Sequence, residues 1–457
     1  MDSSHYQALV IGSGEGGKYL AWHLARSGLK VAVIERRLIG GSCPNTNCLP
    51  SKNEIWSAKV ADLVHRASEF GSITGPVTTD MSKVVARKRA MIDGLIKLHL
   101  DLFKESGAEL IMGDARFVAP KTVDVSLNDG GMARFTADRL FINIGTHATI
   151  PDIPGLATSK PMTNIEVLEL DRLPSHLIVL GGGYVGLELA QTYRRFGSKV
   201  TIIEAGPQLA GREDPDVANE VTEALRSENI TIELDAKVSK VEGQSGRNVT
   251  VATQNGTITG SDLLVAVGRT PNTSGIGLDA AGVTLDAHGF IVINDRLETT
   301  APETWAIGEC AGSPQFTHAS FDDFRIIRDN LSGGGRSTKE RLIPSCMFTD
   351  PQLGRVGLSE MQAQEHGLKF RVAKLAMTGV LRARTISETR GFMKAVVGED
   401  DRILGFAMVG PEAGEVIAVV QTAMLARMPY TALRDAIFAH PTMSEGLNAL
   451  FLRVPSN

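Results

Sequence analysis

Tyr6-Gln7-Ala8-Leu9-Val10-Ile11-Gly12-Ser13-Gly14-Glu15-Gly16-Gly17 is an apolar strand running into a glycine-rich turn, and its reading decides the fold. A helical stretch follows to about Arg26, and Lys30-Val31-Ala32-Val33-Ile34-Glu35 is a second strand ending in an acid. Strand, turn, helix, strand and acid in this order form a dinucleotide-binding βαβ unit. Gly12 permits the tight turn, Gly14 lets backbone approach a pyrophosphate, and Gly17 lets helix and strand pack closely. The helix N-terminus carries partial positive charge for the phosphates. Glu35 is placed to accept bonds from ribose hydroxyls.

The pattern then repeats. His176–Leu180 reads as a strand and Gly181-Gly182-Gly183-Tyr184-Val185-Gly186 as the turn. Leu187–Phe196 reads as the helix, and Lys199–Glu204 as the second strand with its acid. Both glycine sets and both acids are intact, so two dinucleotides are expected. Ile150-Pro151-Asp152-Ile153-Pro154-Gly155 is a breaker cluster between the units, and Gly268-Arg269-Thr270-Pro271-Asn272 closes the second. Trp305-Ala306-Ile307-Gly308-Glu309 reads as a buried strand ending in an acid. From about Glu340 the pattern changes. Strands are expected at Phe370–Met377, Phe392–Val397 and Ile403–Val409, and helices at Glu415–Met428 and around Tyr430–Phe438. This α+β segment carries no nucleotide motif.

At 457 residues the chain exceeds one ordinary core, so two to four domains are expected. A net charge of −5 leaves no electrostatic footprint for nucleic acid. Four cysteines, Cys43, Cys48, Cys310 and Cys346, make no secreted disulfide framework. Residues 1–11 show no signal-peptide pattern and no apolar run reaches membrane-spanning length, so a soluble cytoplasmic protein is expected. Cys310 and Cys346 read as small buried hydrophobes, and no His or Cys spacing fits a metal site.

The chemistry concentrates in Gly40-Gly41-Ser42-Cys43-Pro44-Asn45-Thr46-Asn47-Cys48-Leu49-Pro50-Ser51-Lys52. Regular helix would hold the two Cα atoms too far apart for a disulfide, so a bridge needs a distorted turn. A strained or exposed bridge exchanges readily, and a Cys near a helix N-terminus has its thiolate stabilised. Two buried, unpaired cysteines fit the same spacing; the flanking nucleotide motifs favour the redox pair.

In motif order and over essentially its full length, the chain resembles the class I pyridine nucleotide–disulfide oxidoreductases. The resemblance implies an α/β fold with two Rossmann-type domains and a C-terminal α+β dimerisation domain. The FAD domain would comprise 1–150 and 271–338, the NAD(P)H domain 151–270, and the interface domain 339–457. FAD would be held by Gly12, Gly14, Gly17, Glu35, Gly41, Ser42, Lys52, Ala115, Gly145, Gly308, Glu309, Phe316 and Thr317. Glu309 stands where the family's usual acid is Asp. NAD(P)H would meet Gly181, Gly183, Tyr184, Val185, Glu188, Glu204, Gly268 and Arg269, with Tyr184 as the aromatic gate. By the same resemblance, Cys43 is the interchange thiol that meets substrate and Cys48 the charge-transfer thiol. Lys52 resembles the lysine near flavin N5, and Glu188 its carboxylate partner.

His440-Pro441-Thr442-Met443-Ser444-Glu445 matches the family's acid–base motif. Disulfide reduction needs a proton for the leaving thiolate, and histidine titrates near neutral pH. Glu445 would hold the imidazole's tautomer. The family's His reaches the other subunit's site, which implies a homodimer. Ser313–Ile326, Ser345–Pro351 and Tyr430–Leu447 look closest to mercuric-reductase-like flavoproteins of the reactive-chlorine-resistance type, linked to Cu(II) or hypothiocyanous acid reduction. No cysteine follows Cys346, where mercuric reductases carry a vicinal pair, so sustained mercury reduction is not expected. Glu204, with no Arg or Lys in Ala205-Gly206-Pro207-Gln208, favours NADH over NADPH. The expected activity is transfer of electrons from NAD(P)H through FAD and the cysteine pair to a small oxidant or disulfide. Dihydrolipoamide dehydrogenase, or a mercuric-reductase-like metal-ion reductase, is the alternative, and a non-enzymatic or purely oxidase flavoprotein whose cysteines are structural is a third reading.

Overall fold

The structure, a computed structural model, describes residues 3–339 and 341–456. Met1, Asp2, Glu340 and Asn457 lie outside the described residues, and with them the outer ends of the expected domain ranges and the point from which the pattern changes. The chain forms two compact units: Met1–Glu54 with Ser82–Thr149 and Gly268–Arg341, and Ile55–Met81 with Ile150–Val267 and Leu342–Asn457.

The first unit is built on a parallel sheet in the order β15-β5-β1-β2-β3. These strands are β1 (Ser3–Ile11), β2 (Val31–Glu35), β3 (Glu109–Ala119), β5 (Met132–Ile142) and β15 (Thr304–Ala306). The far ends of β3 and β5 join β4 (Thr122–Leu127) in an antiparallel meander. Ala8, Leu9 and Val10 are fully buried, as the uninterrupted apolar run requires of a parallel strand covered on both faces. Each buried Leu, Ile or Val of this kind contributes about 1.5–3 kcal/mol. A two-stranded ribbon pairs β6 (Thr146–Ala148) with β14 (Arg269–Pro271).

Helix α1 (Glu15–Arg26) packs on α8 (Thr317–Leu331), and a Cβ on Gly16 would lie 2.5 Å from the Ser320 carbonyl oxygen. The cysteine segment divides into two helices, α2 (Ser42–Asn45) and α3 (Cys48–His65), broken at Thr46-Asn47. The long α4 (Met81–Ser106) follows. The run Trp305–Glu309 is not one strand. It ends at Ala306, and Gly308–Ala311 is a 3-10 turn bounded by Gly308 (φ +75°) and Gly312 (φ +73°). The Gly308 N–H donates to the buried Asp323 carboxylate at 2.7 Å, which takes the backbone out of the sheet.

The second unit contains the parallel sheet β13-β7-β8-β9, from β7 (His176–Leu180), β8 (Lys199–Ile203), β9 (Thr231–Glu233) and β13 (Asp262–Val265). Helices α5 (Asn164–Val167), α6 (Tyr184–Phe196) and α7 (Pro215–Ser227) belong to it. A meander of β10 (Val238–Gln244), β11 (Asn248–Thr253) and β12 (Gly256–Gly260) follows.

The C-terminal residues form an antiparallel sheet in the order β16-β17-β20-β19-β18. Its strands are β16 (Ser345–Met347), β17 (Gln352–Gly357), β18 (Phe370–Ala376), β19 (Phe392–Gly398) and β20 (Ile403–Gly410). Helices α9 (Glu360–Glu365), α10 (Leu381–Thr385), α11 (Ala413–Leu425), α12 (Tyr430–Arg434) and α13 (Gly446–Phe451) complete it. The helix expected around 430–438 ends at Arg434, whose guanidinium pairs with the next residue, Asp435. Among the described residues no helix is long and apolar enough to cross a membrane.

Candidate active site

The first glycine turn closes over one side chain. A Cβ on Gly12 would sit 2.3 Å from the Asn143 carbonyl oxygen, and one on Gly14 or Gly17 would sit 2.7 Å from Asn143 Oδ1. Asn143 Oδ1 accepts the Gly17 N–H at 3.0 Å, and Nδ2 donates to Ile307 O at 2.9 Å. Buried Glu35 accepts Ser13 N–H and O–H on one carboxylate oxygen and the Arg37 and Leu38 N–H groups on the other. The second turn repeats this device. Glu204 accepts Gly182 N–H and Gly206 N–H, both at 2.7 Å. Helices α1 and α6 start at Gly14 and Gly183 without a side-chain cap. The α6 N-terminus therefore presents backbone N–H groups, the donor set that a pyrophosphate needs, while in the first turn of α1 the Gly16 and Gly17 N–H groups already donate to Ser320 Oγ and Asn143 Oδ1. A Cβ on Gly183 would meet nothing within 4 Å, so there is room for a ligand's phosphate. The residues present fit a dinucleotide at each turn.

The redox loop lies on the first turn: a Cβ on Gly41 (φ +79°) would come within 2.6 Å of Gly14 Cα. Asn45 Nδ2 donates to Gly41 O and Ile39 O, and Thr46 and Asn47 N–H both donate to Ser42 O, closing α2 after one turn. Cys43 therefore sits in α2 and Cys48 opens α3, so the regular i, i+5 geometry is broken between them. Both thiols are partly buried. Cys48 Sγ lies 3.1 Å from Thr317 Oγ1. Cys43 is held far above the usual thiol range, first by the hydrogen bond it donates to Cys48 and then by burial, while Thr317 works the other way. Lys52 lies one turn beyond Cys48 on α3.

Glu309 accepts from the Thr146 hydroxyl and from Arg269 Nε, the latter at 3.1 Å. Arg269 also donates to Thr146 O at 2.9 Å. Arg269, expected with the nicotinamide unit, is thus brought together with the acid expected at the flavin. Gly145 (φ +63°) and Gly268 (φ +135°) flank this cluster. Ala115 is buried in β3, and Phe316 precedes α8 with its ring stacked on His318.

Sequence reasoning missed Asn143, Asp323 and Arg341. Asp323 accepts from Gly308 N–H, from the Ser313 hydroxyl at 2.8 Å and from Arg341, holding the Gly308–Glu309 turn. Its only signal was an acid beside Ala319, Ile326 and Ile327 on the buried face of α8.

In the second unit, buried Glu188 accepts the Phe348 N–H at 2.8 Å. Tyr184 donates its hydroxyl to buried Glu213 at 3.0 Å, and neighbouring Val185 is exposed. Burial pushes the Glu213 carboxyl up, against the pull of Arg355. His440 Nδ1 lies 2.9 and 3.1 Å from the two Glu445 carboxylate oxygens, with the imidazole 63% exposed. Among the described residues no group of three or more His, Cys, Asp or Glu is placed to hold a metal ion.

The sequence profile described as pyridine nucleotide-disulphide oxidoreductase matches residues 6–323, and that of the family's dimerisation domain matches 343–450. The probable pyridine nucleotide-disulfide oxidoreductase RclA of Escherichia coli is 38% identical, over 98% of both chains. A mercuric reductase of Shigella flexneri is 36% identical, over 96% of this chain and 79% of that one. The solved structure of the Cu(II) complex of the HOCl-induced flavoprotein disulfide reductase RclA from E. coli superposes with a TM-score of 0.91. It is 36% identical and covers 98% of this chain and 99% of that one. Dihydrolipoamide dehydrogenase is not favoured, since relatives of that class are 30% and 31% identical against 38% for RclA. The chain belongs to the class I pyridine nucleotide–disulphide oxidoreductases, in the RclA branch, and is an FAD- and NAD(P)H-dependent flavoprotein oxidoreductase with a redox-active disulfide.

Proposed function

We propose that this enzyme reduces a small oxidant or low-molecular-weight disulfide at Cys43, preferring NADH, as a cytoplasmic homodimer. The observation that carries the reading is the thiol pair set across the α2–α3 break, with Cys48 Sγ 3.1 Å from Thr317 Oγ1.

Cys43 attacks one sulfur of an acceptor disulfide, forming a mixed disulfide and expelling one thiolate. Cys48 then attacks Cys43 Sγ, releasing the second thiolate and leaving the Cys43–Cys48 disulfide. The acceptor gains the two electrons that the thiol pair loses. His440, held through Nδ1 by Glu445, takes the proton of each attacking thiol and passes it to the departing thiolate. His440 and the exposed Ile437 and Leu452 support a site completed by a second subunit. When bound, FAD supplies the two-electron relay by which NAD(P)H restores the dithiol. Gly12, Gly14, Gly17, Glu35, Gly41, Ser42, Lys52, Ala115, Gly145, Gly308, Glu309, Phe316 and Thr317 are assigned to it. Gly181, Gly183, Tyr184, Val185, Glu188, Glu204, Gly268 and Arg269 are assigned to the nicotinamide nucleotide. We divide the chain into an FAD domain (1–150 and 271–338), an NAD(P)H domain (151–270) and an interface domain (339–457).

The test is a stopped-flow screen of the two-electron-reduced enzyme against lipoamide, small disulfides, hypothiocyanous acid, Cu(II) and Hg(II). Rapid reoxidation by a small oxidant or disulfide, lost in Cys43→Ser, is expected. Reoxidation at undiminished rate without Cys43 overturns the reading.

A further inference from the structure

Gly40 opens the cysteine loop, and three side chains of the first unit hold it. Its N–H donates to Ser13 Oγ at 2.9 Å. Its carbonyl oxygen faces Lys18 Nζ at 3.5 Å. At φ +88° its α-carbon lies against the His99 ring of α4, and a Cβ there would come within 3.0 Å of both Cε1 and Nδ1. The close approach of Gly41 to Gly14 follows at once, and Cys43 comes two positions later. The entry to the loop is thus fixed just ahead of the thiol.

Lys18 and His99 are both buried, and Lys18 Nζ lies 2.9 Å from His99 Nε2. Lys18 also pairs with Glu15 at 2.8 Å, so it is an ammonium and can only donate. Nε2 is therefore the acceptor, and the ring is neutral with its proton on Nδ1. Trp22 of α1 stacks on this ring, centroids 6.0 Å apart. Lys18 and Glu15 face the ring from α1, the Leu95 carbonyl from its own helix, and Gly40 from the loop. Burial first, and then Lys18, hold the imidazole below the usual histidine range, against the pull of Leu95 and Glu15. The charges of Lys18 and Glu15 offset each other, so a proton on His99 is a net buried charge set against an ammonium. The protonated ring offers Lys18 no acceptor, and their contact breaks.

We propose that His99 is a positioning residue for Cys43: its neutral ring and Lys18 form a catch on Gly40 that fixes the redox loop, and acid opens the catch. The proposal rests on the reading that Cys43 is the thiol that meets the acceptor. His99 touches neither thiol, so it acts through the loop backbone alone. A reacting thiol displaced by a fraction of its bond reach attacks more slowly, which gives the catch its effect on rate.

The test is hydrogen exchange of the dithiol holoenzyme at about pH 7.5 and about pH 5, read by mass on peptides containing Gly40 and Cys43 and corrected for the intrinsic rate. Wild-type protection of the loop should fall about tenfold in acid. His99→Gln keeps an acceptor for Lys18 and cannot be protonated, so its protection should stay high at both pH values. His99→Leu and Lys18→Met should show the low value at both. Reoxidation of the two-electron-reduced enzyme by bis(2-hydroxyethyl) disulfide should be about tenfold slower in His99→Leu and restored in His99→Gln. Protection that falls in acid equally in His99→Gln, or that is unchanged in His99→Leu, overturns the catch. Reoxidation unchanged in His99→Leu but lost in Cys43→Ser overturns it too. If reoxidation survives in both of these while protection responds as expected, the catch on the loop stands and the reading of Cys43 falls.

Discussion

At Cys43 the hydrogen bond donated to Cys48 is the largest cause of its raised pKa, and Thr317 opposes it. Two substitutions should therefore move Cys43 in opposite directions. Alkylation requires the thiolate, so its rate against pH reports where Cys43 ionises. Cys48→Ala should shift that profile to lower pH, and Thr317→Val to higher pH. Cys48→Ala should also abolish the long-wavelength absorbance that develops on two-electron reduction of the holoenzyme. A profile that moves the same way in both variants would contradict the bonding described. Glu204 gives a second residue-scale expectation. A carboxylate at the end of β8 disfavours a 2′-phosphate, so kcat/KM should be higher with NADH than with NADPH. Glu204→Gln keeps one acceptor for the Gly182 or Gly206 N–H and should narrow the ratio about tenfold. These residues were legible because their partners lie within one βαβ unit. Asn143 was not, since it serves Gly17 from 126 positions away in sequence and no local pattern marks it.

Among the elements, α6 is tied to the loop between β16 and β17 through Asp350. Asp350 N–H donates to Gln191 Oε1, and its carboxylate receives Lys59 at 2.6 Å and Arg195 at 2.7 Å. Burial works to raise this carboxyl, but Arg195 and Lys59 outweigh it and hold it below the usual Asp range. A depressed folded value means that its stabilisation is complete above the unfolded Asp pKa and is lost as pH falls through the folded one. Asp350→Asn should cost about 1–3 kcal/mol at neutral pH, read as a lower Tm, with the deficit shrinking in acid. An equal Tm at neutral pH would remove this tie. Glycine turns, flanking acids and apolar periodicity made both parallel sheets legible, because each is a local signal. Lys394 escaped notice because its partners Asp214, Asp216 and Glu360 come from distant segments, and a lysine inside a strand otherwise reads as solvent-facing. The α2–α3 break was legible in outline, as the distorted turn that two cysteines five positions apart demand.

For the whole molecule, subunit exchange is the direct test of a shared site. Mixing inactive Cys43→Ser and His440→Ala subunits leaves one intact Cys–His combination in each mixed dimer. Random reassortment should restore about a quarter of wild-type activity. No recovery after demonstrated exchange, or full activity in a sedimenting monomer, would show that each chain is sufficient. The first compact unit also has a history that its finished form conceals. It is assembled from three stretches of chain, and β15, Glu309 and Asp323 come with the last, Gly268–Arg341. Asn143 waits for Ile307 O, and Glu309 must return to Thr146. During synthesis, the opening glycine turn emerges long before the strand and helix that close over it. A ribosome stalled between Ile142 and Gly268 would therefore release a first unit lacking β15 and α8, with the β5 edge of its sheet bare and ready to pair with other chains.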